Sequence, residues 1–326
     1  MNQAVKKERI YYYEQHKVVD TFAQDIHSGL SAPVKRLSPK YFYDQHGSEL
    51  FDQICQLPEY YPTRTETQLL EQHADEFRDL MGEESVLFEL GSGSSQKIRI
   101  LLAALKPSFY VPMDISKEHL IASANQLAKD FPWLEVHANR VDYSKPWQVP
   151  DFGSRRYNAF FPGSSIGNFD PQAAVKLLQQ IAQLVGSNGG LLIGVDVKKD
   201  SQRLEAAYND SAGVTAQFNL NILQHIKARL NSDLEIENFA HQAIYNEALG
   251  RIEMHLVSLC SQSFQIEDKN YRMQKGETIH TESSYKYAPD EFHQLAKLAG
   301  FYPQQVWQDD EQLFSLHYLT VGQGAD

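Results

Sequence analysis

Cysteine is scarce. The 326 residues hold only Cys55 and Cys260, too few and too far apart for a disulfide framework or a four-ligand zinc site. There is no run of about 18 apolar residues, so no transmembrane helix is expected. The opening Met1-Asn2-Gln3-Ala4-Val5-Lys6-Lys7 lacks the apolar core of a secretion signal. Basic residues are outnumbered, 30 against 42 acidic, for a net charge of −12. A surface that negative repels phosphate backbones and anionic lipids, so neither nucleic acid nor a membrane is expected as partner. Internal repeats and low-complexity tracts are also missing. What remains is a cytoplasmic chain, expected to be an enzyme, whose 42% hydrophobic content can fill one large domain or two ordinary ones.

From Ser85 to Val197, short apolar runs alternate with helical patterns. Ser85–Leu90 reads as a buried strand, stopped by Gly91-Ser92-Gly93. Ile98, Leu101, Leu102 and Leu105 then follow helical spacing. Further strands are expected at 109–114, where Pro112 is unusual for a central position, and at 134–143, 157–161 and 191–197. Asp170-Pro171 is a helix start, an N-cap followed by proline in the first turn. This alternation predicts βαβ units: a doubly wound, mostly parallel α/β sheet with helices on both faces. After Val197 the rhythm breaks into one long, mostly helical stretch over 201–230, strand-like runs at 251–259 and 263–266, a helix over 289–299 and a last strand at 314–321. The N-terminal 60 residues fit neither pattern and carry the aromatics Tyr41-Phe42-Tyr43 and Tyr60-Tyr61. The expected organisation is a core of 62–197 and 286–326 with a second lobe of 8–61 and 198–285. A ligand would bind at the carboxyl ends of the core strands, under that lobe.

Glu89-Leu90-Gly91-Ser92-Gly93 sits where the first core strand turns into a helix, and glycine there lets the backbone approach a ligand. Asp114 ends the next strand, where a carboxylate can accept ribose hydroxyls, and Asp142 ends the third, placed to meet an adenine edge. A dinucleotide fingerprint would need glycine at 96, where Gln96 stands, and acidic neighbours suit a pyrophosphate poorly. S-adenosylmethionine (SAM), cationic at sulfur, fits better. Gly163-Ser164-Ser165-Ile166-Gly167 matches the G-x-S-x-G elbow of serine hydrolases, with Asp196 and His317 in the right chain order. The helix start at Asp170 lies too far beyond Ser165 for a true elbow, however. On the other reading Asn168 works from this loop, its amide holding an amine through its oxygen and a carboxylate through its NH₂. In Thr281–Tyr287, strand alternation puts Glu282 and Ser284 on one face, able to grip the two nitrogens of an imidazole. His280-Thr281-Glu282 has the H-x-E spacing of zinc deaminases but lacks their P-C-x-x-C, so no metal is expected.

The strings Tyr41-Phe42-Tyr43-Asp44, Gly47–Asp52, Leu57-Pro58-Glu59-Tyr60-Tyr61-Pro62-Thr63-Arg64, Glu89–Gly93, Gly163–Phe169 and Thr281-Glu282-x-Ser284 run over nearly the whole chain. Through them it resembles the histidine Nα-methyltransferases of ergothioneine biosynthesis, which use SAM to convert L-histidine to its trimethylbetaine, hercynine. The resemblance implies a Rossmann-like class I SAM methyltransferase core with a substrate-binding lobe. It implies cofactor contacts from Gly91, Lys97, Asp114, Asp142 and Tyr143. It places Tyr60, Asn168 and Tyr208 around the substrate's carboxylate and amine, Tyr43 near the methyl acceptor, Glu282 and Ser284 on the imidazole, and Met254 in that pocket. S-adenosyl-L-homocysteine would leave as product, without a metal, from an enzyme expected to be monomeric. Relatives in the same family methylate other aromatic amines; retention of Glu282 and Ser284 favours histidine, since an indole offers one donor and no acceptor.

Overall fold

The computed structural model of the chain describes residues 5–7, 9–14, 20–93, 96–142, 145 and 147–322. Strands are numbered in chain order. β1 (Val5–Lys7) and β2 (Ile10–Glu14) precede β3 (Val86–Leu90), β4 (Phe109–Asp114), β5 (Glu135–Arg140), β6 (Tyr157–Phe161) and β7 (Gly190–Asp196). Then come β8 (Phe239–Asn246), β9 (Arg251–Ser258), β10 (Gln262–Ile266), β11 (Lys269–Met273) and β12 (Thr278–Tyr285), followed by β13 (Phe301–Gln308) and β14 (Phe314–Val321). The chain divides into two compact units. The first holds the N-terminal strands, Pro62–Lys198 and the chain from Lys286 onward; the second holds the described part of Val18–Tyr61 and Lys199–Tyr285.

In the first unit nine strands form one sheet in the order β1-β2-β5-β4-β3-β6-β7-β14-β13. β2 to β7 run parallel, and β14 returns antiparallel beside β7. From β3 the chain winds outward through β4 and β5, then crosses back to β6 and β7, so the order reverses at β3, where such sheets bind ligands. The strands read as continuous apolar runs because both faces are covered. Leu87, Tyr110 and Phe160 pack on one side with Ile98, Leu101 and Leu102 of the helix Gln96–Leu105; Phe88, Val111 and Met113 pack on the other with Phe152. Pro112 pairs with Glu89 in the β3–β4 ladder, and the β4–β5 ladder, which pairs Phe109, Tyr110, Met113 and Asp114, is interrupted at Val111 and Pro112, as a residue with no N–H to donate requires. Asp170 caps the helix Pro171–Val185 by accepting the Ala173 N–H at 2.9 Å, as its sequence predicts.

The lobe expected from residue 8 onward starts later: Ile10–Glu14 pairs in parallel with Val136–Arg140, extends the core sheet and belongs to the first unit. Its five residues, four of them Ile or Tyr, are a short strand of ordinary β-formers, and only the partner across the sheet marks it as core.

The second unit contains the antiparallel sheet β12-β9-β8 and the hairpin β10-β11. The helix Val214–Arg229 packs on β8 and β9 and against the helix Gln45–Ile54. Asp44 caps the latter, accepting the Gly47 N–H at 2.7 Å and the Asn221 Nδ2 at 2.9 Å with one oxygen. A Cβ on Gly47 would lie 1.7 Å from the Phe42 carbonyl oxygen, so only glycine lets this turn close. Among the described residues no helix is long and apolar enough to cross a membrane.

Candidate active site

In the first unit the site begins where β3 ends. Gly91 turns the chain at φ +72°, a left-handed conformation that glycine alone adopts freely. Nothing lies within 4 Å of the position a Cβ would take, so the space beside the turn is open. The Gly91 and Ser92 N–H groups both bond the Met113 carbonyl, at 2.9 and 3.3 Å, which ties the turn to β4. Asp114, at the end of β4, accepts the Gly93 N–H at 3.3 Å with one oxygen and the Ser116 N–H at 2.9 Å with the other. Desolvation raises its carboxyl above the ordinary value, and these bonds partly offset that. Asp142 follows β5, half-buried, with Lys145 at 3.7 Å. Gly91, Asp114 and Asp142 thus stand at the carboxyl ends of three adjacent strands. Tyr143 lies outside the described residues.

Glu89, an acidic neighbour of the glycine turn, does not stand as an exposed carboxylate. It is buried within β3, takes the Tyr110 hydroxyl, and burial pushes its carboxyl up to about 8. Near neutral pH it is mostly protonated, so it adds less negative charge than its residue type suggests. Lys97 makes a short ion pair with Glu66, a fully buried carboxylate that also accepts the Gly163 N–H, at 2.9 Å to its nearer oxygen. Glu66 lies directly under β7: a Cβ on Gly194 would come within 2.1 Å of it. Sequence reading overlooked Glu66, whose one signal is its place just past the Leu57–Arg64 string.

The loop after β6 carries Asn168. Gly163 and Ser164 are both left-handed, at φ +74° and +56°. Ser164 is held there by its hydroxyl, which accepts the Asp196 N–H at 2.9 Å. The Asp196 carboxylate in turn pairs with Lys286 at 2.7 Å, both side chains out of solvent. Asn168 ends the single turn Ser165–Asn168 and is half-buried. No Ser-Asp-His assembly forms. The Ser165 hydroxyl donates to the Pro162 carbonyl at 3.0 Å, Asp196 is committed to Lys286, and His317 contacts His293 at 3.0 Å and Ser315 at 2.8 Å. Burial also drives the His317 imidazole down to about 3.

The second unit gathers most of the expected substrate residues. Tyr60 and Tyr208 meet edge to face at 6.0 Å, Phe51 lies 6.4 Å from Tyr60, and Tyr43 lies 5.7 Å from Phe51. The Tyr208 hydroxyl donates to Ser284 Oγ at 3.0 Å. Glu282 stands directly opposite Met254 in the β12–β9 ladder, and Ser284 opposite Ile252 on the same face. All four are buried. Tyr60 feels Tyr208, Cys55, Tyr43 and Glu282, but it is chiefly burial that pushes its phenol well above the ordinary value, so it remains a donor. His280 falls on the opposite face from Glu282, so the two ends of the H-x-E spacing diverge.

The profile of a family described as histidine-specific methyltransferase, SAM-dependent, matches residues 22–321. The chain is 35% identical to the histidine N-alpha-methyltransferase of Mycolicibacterium smegmatis, over 94% of this chain and 96% of that protein. It is 38% identical to the protein of that name from Mycobacterium tuberculosis, over 90% and 92% of the two chains. Ergothioneine biosynthesis protein 1 of Neurospora crassa is 30% identical over 88% of this chain, which spans 33% of that protein. With the family model matched from residue 22 to 321 and two relatives of 35–38% identity covered almost end to end, the chain belongs to the SAM-dependent, histidine-specific methyltransferases.

Proposed function

We propose that the protein transfers three methyl groups in succession from SAM to the α-amine of L-histidine, forming hercynine for ergothioneine biosynthesis. The observation that carries the substrate is Glu282: a buried carboxylate facing Met254, two residues from a Ser284 already bonded to Tyr208. Glu282 accepts the imidazole N–H and Ser284 serves the other ring nitrogen. An apolar ring offers this carboxylate no N–H to accept and the Ser284 hydroxyl no ring nitrogen, which sets the preference.

Gly91, Lys97, Asp114, Asp142 and Tyr143 hold the cofactor; open space at Gly91 and a half-exposed Asp114 suit an adenosine and its ribose hydroxyls. SAM, when bound, supplies a methyl group on a cationic sulfur. Tyr60, protonated throughout the physiological range, donates to the substrate carboxylate together with the Asn168 amide, while Tyr208, whose own proton goes to Ser284, lines the same end of the substrate. Orienting the amine is the main catalytic contribution, since positioning alone can supply about 7–11 kcal/mol. The amine must be neutral to react, and the Tyr43 hydroxyl relays its proton outward. The tyrosine faces accommodate the growing cationic head group. Amine attack on a sulfonium methyl needs neither a Lewis acid nor redox chemistry, so the reaction calls for no metal.

Isothermal titration of L-histidine with S-adenosylhomocysteine present, then mass spectrometry of a SAM reaction, tests this. Binding and a gain of three methyl groups are expected, with a rate that rises between about pH 7 and 9 as the substrate ammonium deprotonates. No binding and no methylation of histidine would overturn the substrate assignment.

A further inference from the structure

β12 does not run in regular register. His280 pairs with His255, but the next pair is Glu282 with Met254, so Thr281 is an inserted bulge residue. The consequence follows from strand periodicity. Without the insertion, position 282 would fall opposite Glu253, on the face where Ser283, His280, Arg251 and Tyr285 lie. The bulge turns Glu282 and Ser284 to the face of Met254 and Ile252 instead.

The bulge is pinned from below. Thr281 is fully buried, and its hydroxyl reaches Asn219 Oδ1 at 2.7 Å and the Met254 carbonyl at 3.0 Å. Asn219, also fully buried, donates through Nδ2 to the His255 carbonyl at 3.0 Å and to His241 Nδ1 at 2.9 Å. His241 then donates from Nε2 to the Tyr208 carbonyl at 2.8 Å. One neutral tautomer satisfies both His241 contacts, and burial holds that imidazole below its ordinary pKa. Tyr208 closes the circuit, since its hydroxyl bonds Ser284.

We infer that Thr281, Asn219 and His241 are positioning residues for histidine recognition: their hydrogen-bonded circuit fixes the bulge that aims Glu282 and Ser284 and ties Tyr208 to the same strand. The inference rests on the substrate assignment above. None of the three touches substrate; they act through the residues that do.

The test compares Thr281→Val and Asn219→Ala with Thr281→Ser, which keeps the hydroxyl, and with Ile266→Ala, a buried change in β10 outside the circuit. Steady-state kinetics with each substrate varied and thermal unfolding are read together. Thr281→Val and Asn219→Ala should raise KM for L-histidine at least about tenfold, equal to about 1.4 kcal/mol, with KM for SAM within about twofold. Thr281→Ser should restore the histidine KM, and Ile266→Ala should lower Tm without moving it. If Asn219→Ala does not fold, the Thr281→Val and Thr281→Ser pair decides. Wild-type histidine turnover with unchanged histidine KM in Thr281→Val would overturn the inference alone. Absence of histidine turnover in the wild type would remove the substrate assignment, and the inference with it.

Discussion

The two units orient the residues proposed for binding by different means. In the first, the edge proposed for the cofactor is made largely by the backbone. Gly91 sets a left-handed turn, its N–H bonds the end of β4, and Asp114 is oriented by the amides of Gly93 and Ser116. In the second, orientation comes from side chains far apart in sequence: Thr281 reaches Asn219 across 62 positions and Tyr208 reaches Ser284 across 76. Backbone devices need a few particular residues in a short string and tolerate variation around them. A side-chain circuit needs each member, and fails at any link.

Glu66 is the strongest challenge to that contrast, because it is a side-chain device inside the backbone-built unit. It is fully buried, paired with Lys97, and holds the Gly163 amide. Glu66→Ala leaves Lys97 without its partner and the amide without its acceptor. Removing one member of a buried pair costs about 3–5 kcal/mol, and urea unfolding should show a loss of that order. A loss below about 1 kcal/mol would mean that water or another carboxylate replaces Glu66, and the first unit would rest on its backbone alone.

Two crossed substitutions sharpen the comparison. Asp114→Asn keeps the size of the side chain but removes the charge that strengthens its hydrogen bonds, a difference of about 1–1.5 kcal/mol for each of two ribose hydroxyls. S-adenosylhomocysteine should therefore bind about 10- to 100-fold more weakly by calorimetry, with histidine affinity changed far less. Glu282→Ala should do the reverse. It should weaken histidine binding by about 1–3 kcal/mol and relax the preference toward other aromatic amino acids, with cofactor affinity kept. Wild-type selectivity in Glu282→Ala would show that the imidazole is read elsewhere.

This division also explains what could be read from the sequence. The parallel core, the glycine turn, Asp114 and Asp142 were legible because hydrophobic period, turn chemistry and strand ends are local signals. The strand Ile10–Glu14 was not, since five residues of ordinary β-formers acquire meaning only beside Val136–Arg140. Glu282 and Ser284 were visible as an alternating pair. The insertion at Thr281 that chooses their face was not, because a bulge is defined by the partner strand, here Met254 and His255. Asn219 and His241 gave no signal at all: an asparagine within a helix and a histidine on a strand look like solvated residues until their partners are known. Glu89 misled in the other direction, since sequence shows a carboxylate and only burial shows that it holds its proton.

The smallest effect is expected at Ser165, and its neighbour supplies the contrast. Ser164 accepts a buried N–H from Asp196 while held in a left-handed turn, so Ser164→Ala strands that donor and should cost about 1–3 kcal/mol. Ser165 only donates to the Pro162 carbonyl from a half-buried position. Loss of such a bond costs about 0.5–1.5 kcal/mol of stability at most, and it leaves in place the backbone turn that Ser165 shares with Asn168. Methyl transfer by Ser165→Ala should stay within about twofold of wild type, and neither protein should cleave a nitrophenyl ester. An esterase activity present in the wild type and lost in Ser165→Ala would restore the hydrolase elbow. The same loop would then owe its shape to nucleophile exposure, in place of the Asp196 and Lys286 framework that now accounts for it.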